Sequence, residues 1–237
     1  MQPSDNAMFG VWKPAGIRSF DVIRRLRRLL PGVKMGHAGT LDPFASGVLV
    51  LATGRETKHL AQVVGAEKEY LAEVVFGVLS TTYDPEGELV AVWPKLDAER
   101  LAQWSAFWPG FVPPRERKDF RALTRGEVET VVRPFVGDSD QLPPAFSAKK
   151  VGGVRAYAAA RAGKVVALQP KRVHIAAIEI LDWQWPVLRL RVVCGSGTYI
   201  RSLGYDIGRV LGCGAYVRAL TRTRVGNFTL KTAITIA

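Results

Sequence analysis

Apolar residues recur along this chain in two rhythms. Between Val22 and Leu30 they fall at Val22, Ile23, Leu26, Leu29 and Leu30, one face of a helix that Ser19 is placed to cap and Pro31-Gly32 to end. Further helices are expected over 55–64, over 155–162 (alanine-rich and stopped by Gly163), and from Ile200 through Val210 with Ile200, Leu203, Ile207, Val210 and Leu211 as its apolar set. Period-two or short apolar runs predict strands elsewhere. Residues 9–12 lead into a Lys-Pro turn, and over 69–79 Tyr70, Ala72, Val74, Phe76 and Val78 share one face. Strands are also expected over 173–180 and 187–194, the latter with Leu188, Leu190, Val192 and Cys194 inward and Arg189 and Arg191 outward. Residues 141–150 are extended, because Pro143-Pro144 forbids a helix. Between 92 and 134, Asp97 can cap a helix carrying Leu101, Trp104 and Phe107. A charged stretch, R-E-R-K-D-F-R, follows without periodicity and is open to a loop, an insertion or a helix.

The densest local signal runs from Gly36 to Leu51, G-H-A-G-T-L-D-P-F-A-S-G-V-L-V-L. Its apolar half, Val48 to Leu51, reads as a buried strand, and its polar half as the loop leading in. Pro43 biases Asp42 toward extended backbone, and the glycines let the chain turn tightly or approach a ligand. A bare Asp-Pro is most often a turn starter. With His37, Thr40 and three glycines around it, this one reads as a site.

Composition narrows the partner. The 237 residues are 48% hydrophobic, enough for a real core, and the formal net charge is +12. The positive charge is spread along the chain rather than packed beside an apolar segment, which favours nucleic acid over a membrane. Arg24, Arg25, Arg27 and Arg28 share the polar face of the first helix without a balancing acid, as a phosphate-contacting face would. Two cysteines and three scattered histidines form no disulfide framework or zinc spacing. No signal peptide or membrane-length apolar run is present, so a cytoplasmic protein is expected.

The stretch 36–51 resembles the catalytic motif of the TruB family of pseudouridine synthases, G-H-x-G-T-L-D-P-x-A-x-G-V-L, at every fixed position. Four further segments are similar to the family's other motifs, in family order. They are Lys13-Pro14-Ala15-Gly16 with Ser19; Lys68-Glu69-Tyr70 with the turn-rich loop 80–87; the block from Gln141 to Gly163, where Phe146 replaces a tyrosine; and 197–203 (G-T-Y-I-R-S-L) with the ending 211–228. The resemblance implies an α/β (α+β) pseudouridine synthase catalytic fold, a mixed, mostly antiparallel sheet flanked by helices, as one domain over 1–237 with a variable segment at 88–134. Many members continue into a C-terminal PUA-type module, and this chain reads as a short form without it.

The resemblance also implies roles. Asp42 is the nucleophile, Tyr70 stacks on the target base, Tyr199 and Arg201 flank the aspartate, and Leu220 supports the base pocket. His37, Lys13 and Thr40 complete the substrate set, with Arg201 a candidate partner for Asp42. Arg24, Arg25, Arg28, Lys58, Lys149 and Arg155 are the expected RNA contacts. The implied reaction isomerises uridine 55 in the T-loop of tRNA after base flipping. It needs no cofactor or metal because it is an isomerisation, and the expected partner is the tRNA T-arm, bound by a monomer. Attack by Asp42 on the sugar or on the uracil ring is left open. Two other readings differ in kind: a synthase for another T-loop-like hairpin, and a non-enzymatic protein that helps tRNA fold.

Overall fold

A computed structural model describes residues 5–92, 122–146, 150–151, 154–155 and 168–235. The helix expected after Asp97, the charged stretch after it, Lys149 and residues 156–162 of the expected third helix lie outside them. Strands dominate, as the alternating runs require, and ten of them form one mixed sheet. The chain divides into two compact units, one comprising 1–72, 191–196 and 219–237, the other 73–190 and 197–218.

The first unit is built on β1 (Met8–Lys13), β2 (Met35–Ala38) and β3 (Ser46–Thr53). Valine, leucine and alanine fill β3, and every residue from Gly47 to Thr53 is buried, as the apolar half of the motif predicts. β1 pairs antiparallel along β3 from Met8↔Ala52 to Lys13↔Gly47, and β14 (Ile234–Thr235) adds in parallel to β1. Two strands share the remaining edge of β3. β12 (Ala215–Val225) pairs in parallel at Thr221↔Ser46 and Arg222↔Gly47, and β2 pairs antiparallel from Ala38↔Val50 to Met35↔Thr53. Gly47 lies at the first of these junctions with φ +119°, and a Cβ there would stand 2.2 Å from the Arg222 carbonyl oxygen, so only glycine fits. Ala38, Val48, Val50 and Val225 form a core cluster, covered by Met8, Leu60, Val63 and Phe228. β13 (Phe228–Thr229) closes a hairpin on β12.

Two helical expectations need correction here. Helix α1 (Ser19–Leu29) buries Val22, Ile23 and Leu26, but Leu29 is 63% exposed because the last turn has left the core. Its cap is Arg18, whose backbone N–H donates to the Asp21 carboxylate at 3.0 Å, and Ser19 is the first helical residue. The arginine face is also partly balanced, since Arg24 pairs with Asp21 at 3.2 Å. The helix expected over 55–64 is split into a 3-10 segment, Gly54–His59, and α2, Leu60–Gly65. The Thr57 hydroxyl donates to the Gly54 carbonyl and the Asn6 side-chain oxygen accepts the Arg55 N–H, which tightens the first turns.

In the second unit, β4 (Lys68–Phe76, entering from the first unit) alternates as expected, with Tyr70, Ala72, Val74 and Phe76 buried. β5 (Val78–Ser80) and β6 (Leu89–Ala91) make a hairpin. Thr124 caps α3 (Arg125–Val132) by a reciprocal exchange with Glu127. β7 (Gly137–Gln141) pairs antiparallel with β10 (Lys171–Gln184), a longer strand than the expected 173–180. β8 (Lys150–Val151) and β9 (Val154–Arg155) pair with each other, so Arg155 belongs to a strand and not to the start of a helix. β11 (Val187–Cys194) and α4 (Ile200–Val210) have the expected bounds, although Val210 is exposed. The full sheet order is β14-β1-β3-β12-β4-β11-β10-β7, with β2 and β13 off this path.

Much of the strand-borne positive charge is neutralised locally. Glu69 accepts from Arg191 at 2.8 Å and from the Thr223 hydroxyl at 2.7 Å, and Arg224 pairs with Glu67. Glu73 accepts from Arg218 at 2.6 Å and Arg189 at 3.2 Å. The Arg218 hydrogen bond is the chief cause holding the Glu73 carboxyl below its usual range. A carboxyl depressed in the folded state contributes stability that is present above its unfolded value and lost as pH falls through its folded one. Glu73→Gln is therefore expected to lower the melting temperature at neutral pH and to flatten its fall below about pH 4. Thermal melts across that range check this.

Candidate active site

The loop 39–45 joins β2 to β3 and carries Thr40 and Asp42. Its backbone is fastened at four places. The Ser19 hydroxyl donates to the Leu41 carbonyl at 3.0 Å and accepts the Leu41 N–H at 2.9 Å. The Gly16 N–H donates to the Pro43 carbonyl at 2.7 Å. Ala45 N–H closes a turn on the Asp42 carbonyl at 3.1 Å. Finally, the Arg222 guanidinium donates to the Gly39 carbonyl at 2.9 Å and to the Val48 carbonyl at 2.8 Å. Leu41 and Ala45 turn into the core, while Asp42 is half-buried and Thr40 exposed. The result is a carboxylate on immobilised backbone at the rim of a packed strand, a placement suited to nucleophilic attack.

Lys13, expected among the substrate contacts, is fully buried. Its ammonium donates to the Ile17 carbonyl at 2.7 Å, Pro14 at 2.9 Å and Pro43 at 3.3 Å. That position makes it a fastener beneath the turn and the loop. His37 lies on β2 opposite Leu51, not in the loop as the polar run suggested. Its Nδ1 is buried without a hydrogen-bond partner among the described residues. Burial, and then the Arg222 charge, lower the imidazole pKa and favour the neutral ring.

Tyr70 on β4 and Leu220 on β12 belong to the same unit and are 9% and 7% exposed. Burial raises the Tyr70 phenol pKa against the opposing charge and hydrogen bond of Arg222, and the Asp42 carboxylate adds to the rise. Asp42, Tyr70 and Arg222 thus lie within electrostatic reach of one another.

In the second unit, Arg201 is 3% exposed on the first turn of α4. It pairs with Asp84 at 3.1 Å and donates to the carbonyls of Thr82 at 2.8 Å and Phe146 at 3.0 Å. Asp84 in turn accepts from the Thr82 hydroxyl and the Glu86 N–H. Gly87 closes this loop, since a Cβ there would stand 2.5 Å from the Thr82 hydroxyl oxygen. Tyr199, the cap of α4, exchanges two hydrogen bonds with the Gln141 side chain, at 2.8 Å and 3.1 Å. The Phe146 carbonyl serves Arg201 whatever its side chain, so the change from tyrosine leaves this contact in place.

Arg24, Arg25, Arg28 and Lys58, the expected RNA contacts, are exposed. The Arg155 side chain lies outside the described structure, like Lys149. Sequence reading missed Asp84, Gln141 and Arg222 as site residues and gave Ser19 a different task. Gln141, Arg222 and Ser19 work through hydrogen bonds to backbone distant in sequence, and Asp84 through an ion pair with Arg201, none of which leaves a periodic trace. The fit of Asp84, Gln141 and Arg222 to the motif patterns was their only signal.

The chain matches the family model described as TruB family pseudouridylate synthase (N terminal domain) over residues 27–114 and 112–200. It matches the tRNA pseudouridylate synthase B C-terminal domain over 201–237. It is 38% identical to the tRNA pseudouridine synthase B of Dehalococcoides mccartyi (strain CBDB1), over 98% of this chain and 69% of that protein. Its identity to the protein of the same name from Parabacteroides distasonis is 40%, over 92% of this chain and 85% of that one. Among solved structures it is similar to a chain of a Cbf5-Nop10-Gar1 complex, with TM-score 0.69 and 27% identity, covering 98% of this chain. It spans 53% of that solved chain, about half its length. The motifs and these likenesses agree, and the chain belongs to the TruB family of pseudouridylate synthases.

Proposed function

We propose that this protein converts uridine to pseudouridine in tRNA, at position 55 of the T-loop, with Asp42 as the nucleophile. The observation that carries the reading is the fastening of the Asp42 loop, which holds one carboxylate half-exposed beside Tyr70. The reaction breaks the bond between N1 and the sugar, turns the uracil, and joins C5 to the same sugar carbon. The C5 hydrogen leaves as a proton and N1 gains one, so the atoms balance without a cofactor. A uridine in a hairpin loop is flipped out for a few kcal/mol. Stacking on an aromatic side chain such as Tyr70 returns roughly 1–3 kcal/mol. His37 is a further substrate-side residue, its Nδ1 buried without a hydrogen-bond partner among the described residues. Tyr199, Arg201, Leu220 and Thr40 are the further substrate-side residues, and Arg24, Arg25, Arg28, Lys58, Lys149 and Arg155 serve the phosphates.

Release of tritium from a tRNA transcript labelled at uridine C5 tests this directly. Release is expected with wild type, and it should weaken steeply with salt under subsaturating enzyme because phosphate contacts release counterions. Stoichiometric binding with no release would favour a protein that only helps RNA fold.

A further inference from the structure

The edge of β3 has a break in its pairing. β12 leaves it at Arg222↔Gly47 and β2 joins it at Ala38↔Val50, so the intervening backbone lacks a strand partner. The Arg222 side chain fills that break. Its Nε donates to the Val48 carbonyl and its Nη2 to the Gly39 carbonyl, where the loop carrying Asp42 begins. Burial raises the Tyr70 phenol pKa, and the same guanidinium opposes that rise by charge and hydrogen bonding. The side chain is 2% exposed, and among the described residues its hydrogen bonds go to two carbonyls, with no carboxylate ion pair. A buried guanidinium without a counter-ion is costly to keep. Its charge is felt around it, lowering the pKa of both His37 and Lys68 after burial has done so.

We propose that Arg222 is a positioning residue for the reaction, whose planar fork sets the Asp42 loop and the Tyr70 hydroxyl relative to each other. This rests on the reading of Asp42 as nucleophile and Tyr70 as base partner. One guanidinium presents five donors in a fixed plane, so contacts to Gly39, Val48 and Tyr70 are geometrically tied. Lysine carries a single compact charge and cannot hold all three. The loop and the tyrosine come from elements far apart in sequence, and Arg222 bonds to the one and acts electrostatically on the other.

The test is a double-mutant cycle on single-turnover rates with saturating protein, using Arg222→Lys, Tyr70→Phe and the pair. Arg222→Lys is expected to slow turnover by about 10- to 100-fold with RNA affinity within about threefold of wild type. Tyr70→Phe should slow the wild type measurably, yet change the rate by less than about twofold once Arg222 is lysine. A residue needed only for folding would give effects that multiply, and multiplying effects overturn the proposal. A wild type without activity overturns instead the reading beneath it.

If the lysine variant does not fold, hydrogen exchange decides. Tyr70→Phe removes one oxygen and leaves the fold intact. Exchange in peptides covering 39–45 is expected to speed at least twofold in that variant, and unchanged exchange overturns the coupling.

Discussion

An Asp42→Asn protein is expected to form no detectable pseudouridine, its single-turnover rate falling by about 10⁴-fold or more, as removal of a nucleophile does. The substitution exchanges one oxygen for an NH₂ group and keeps the shape of the side chain. None of the backbone fastenings at Leu41, Pro43 and Gly39 involves the Asp42 carboxylate. The loop should stand as before, so RNA affinity is expected to stay within about threefold of wild type. Loss of binding along with turnover would point to a structural carboxylate.

Arg201→Met has the second large effect, and it should register first in stability. The Arg201–Asp84 pair has side chains 4% exposed on both sides. Removing one partner leaves a buried carboxylate without its cation, a loss of about 3–5 kcal/mol. For a chain of this length that lowers the melting temperature by about 10 °C. Adding Asp84→Asn removes the stranded charge, so the double variant should recover much of the lost stability. Turnover is expected to stay low in the double variant if Arg201 also serves the substrate. Full recovery of turnover with stability would make Arg201 purely architectural.

These two residues mark how far the sequence could be read. Asp42 stood in a motif whose residue types and glycines already suggested a fixed carboxylate, and β3 behind it was legible from its run of apolar residues. Arg201 stood out in the sequence as a candidate partner for Asp42, but the acid it pairs with in the structure, Asp84, looked like part of a turn. Periodicity reports which face of an element is buried. It says nothing of a side chain that reaches across to another segment's carbonyl. That is why Lys13 read as a substrate contact while it is spent on three carbonyls, and why Ser19 read as a helix cap while it holds Leu41. The split helix at 54–65 has the same origin, in side-chain bonds from Asn6 and Thr57. The strand over 187–194 and the helix over 200–210 were read with correct bounds because amphipathic burial alone defines them.

The reaction proposed for Asp42 is uridine isomerisation at one position of the tRNA T-loop. Carbodiimide adduct mapping by primer extension tests it on an unmodified tRNA transcript and on the same transcript with that uridine replaced by cytidine. Wild type is predicted to give one new stop, at the T-loop uridine, absent from the cytidine transcript and absent with Asp42→Asn. A stop that persists with Asp42→Asn, or no stop with wild-type protein that binds the tRNA, would contradict the account.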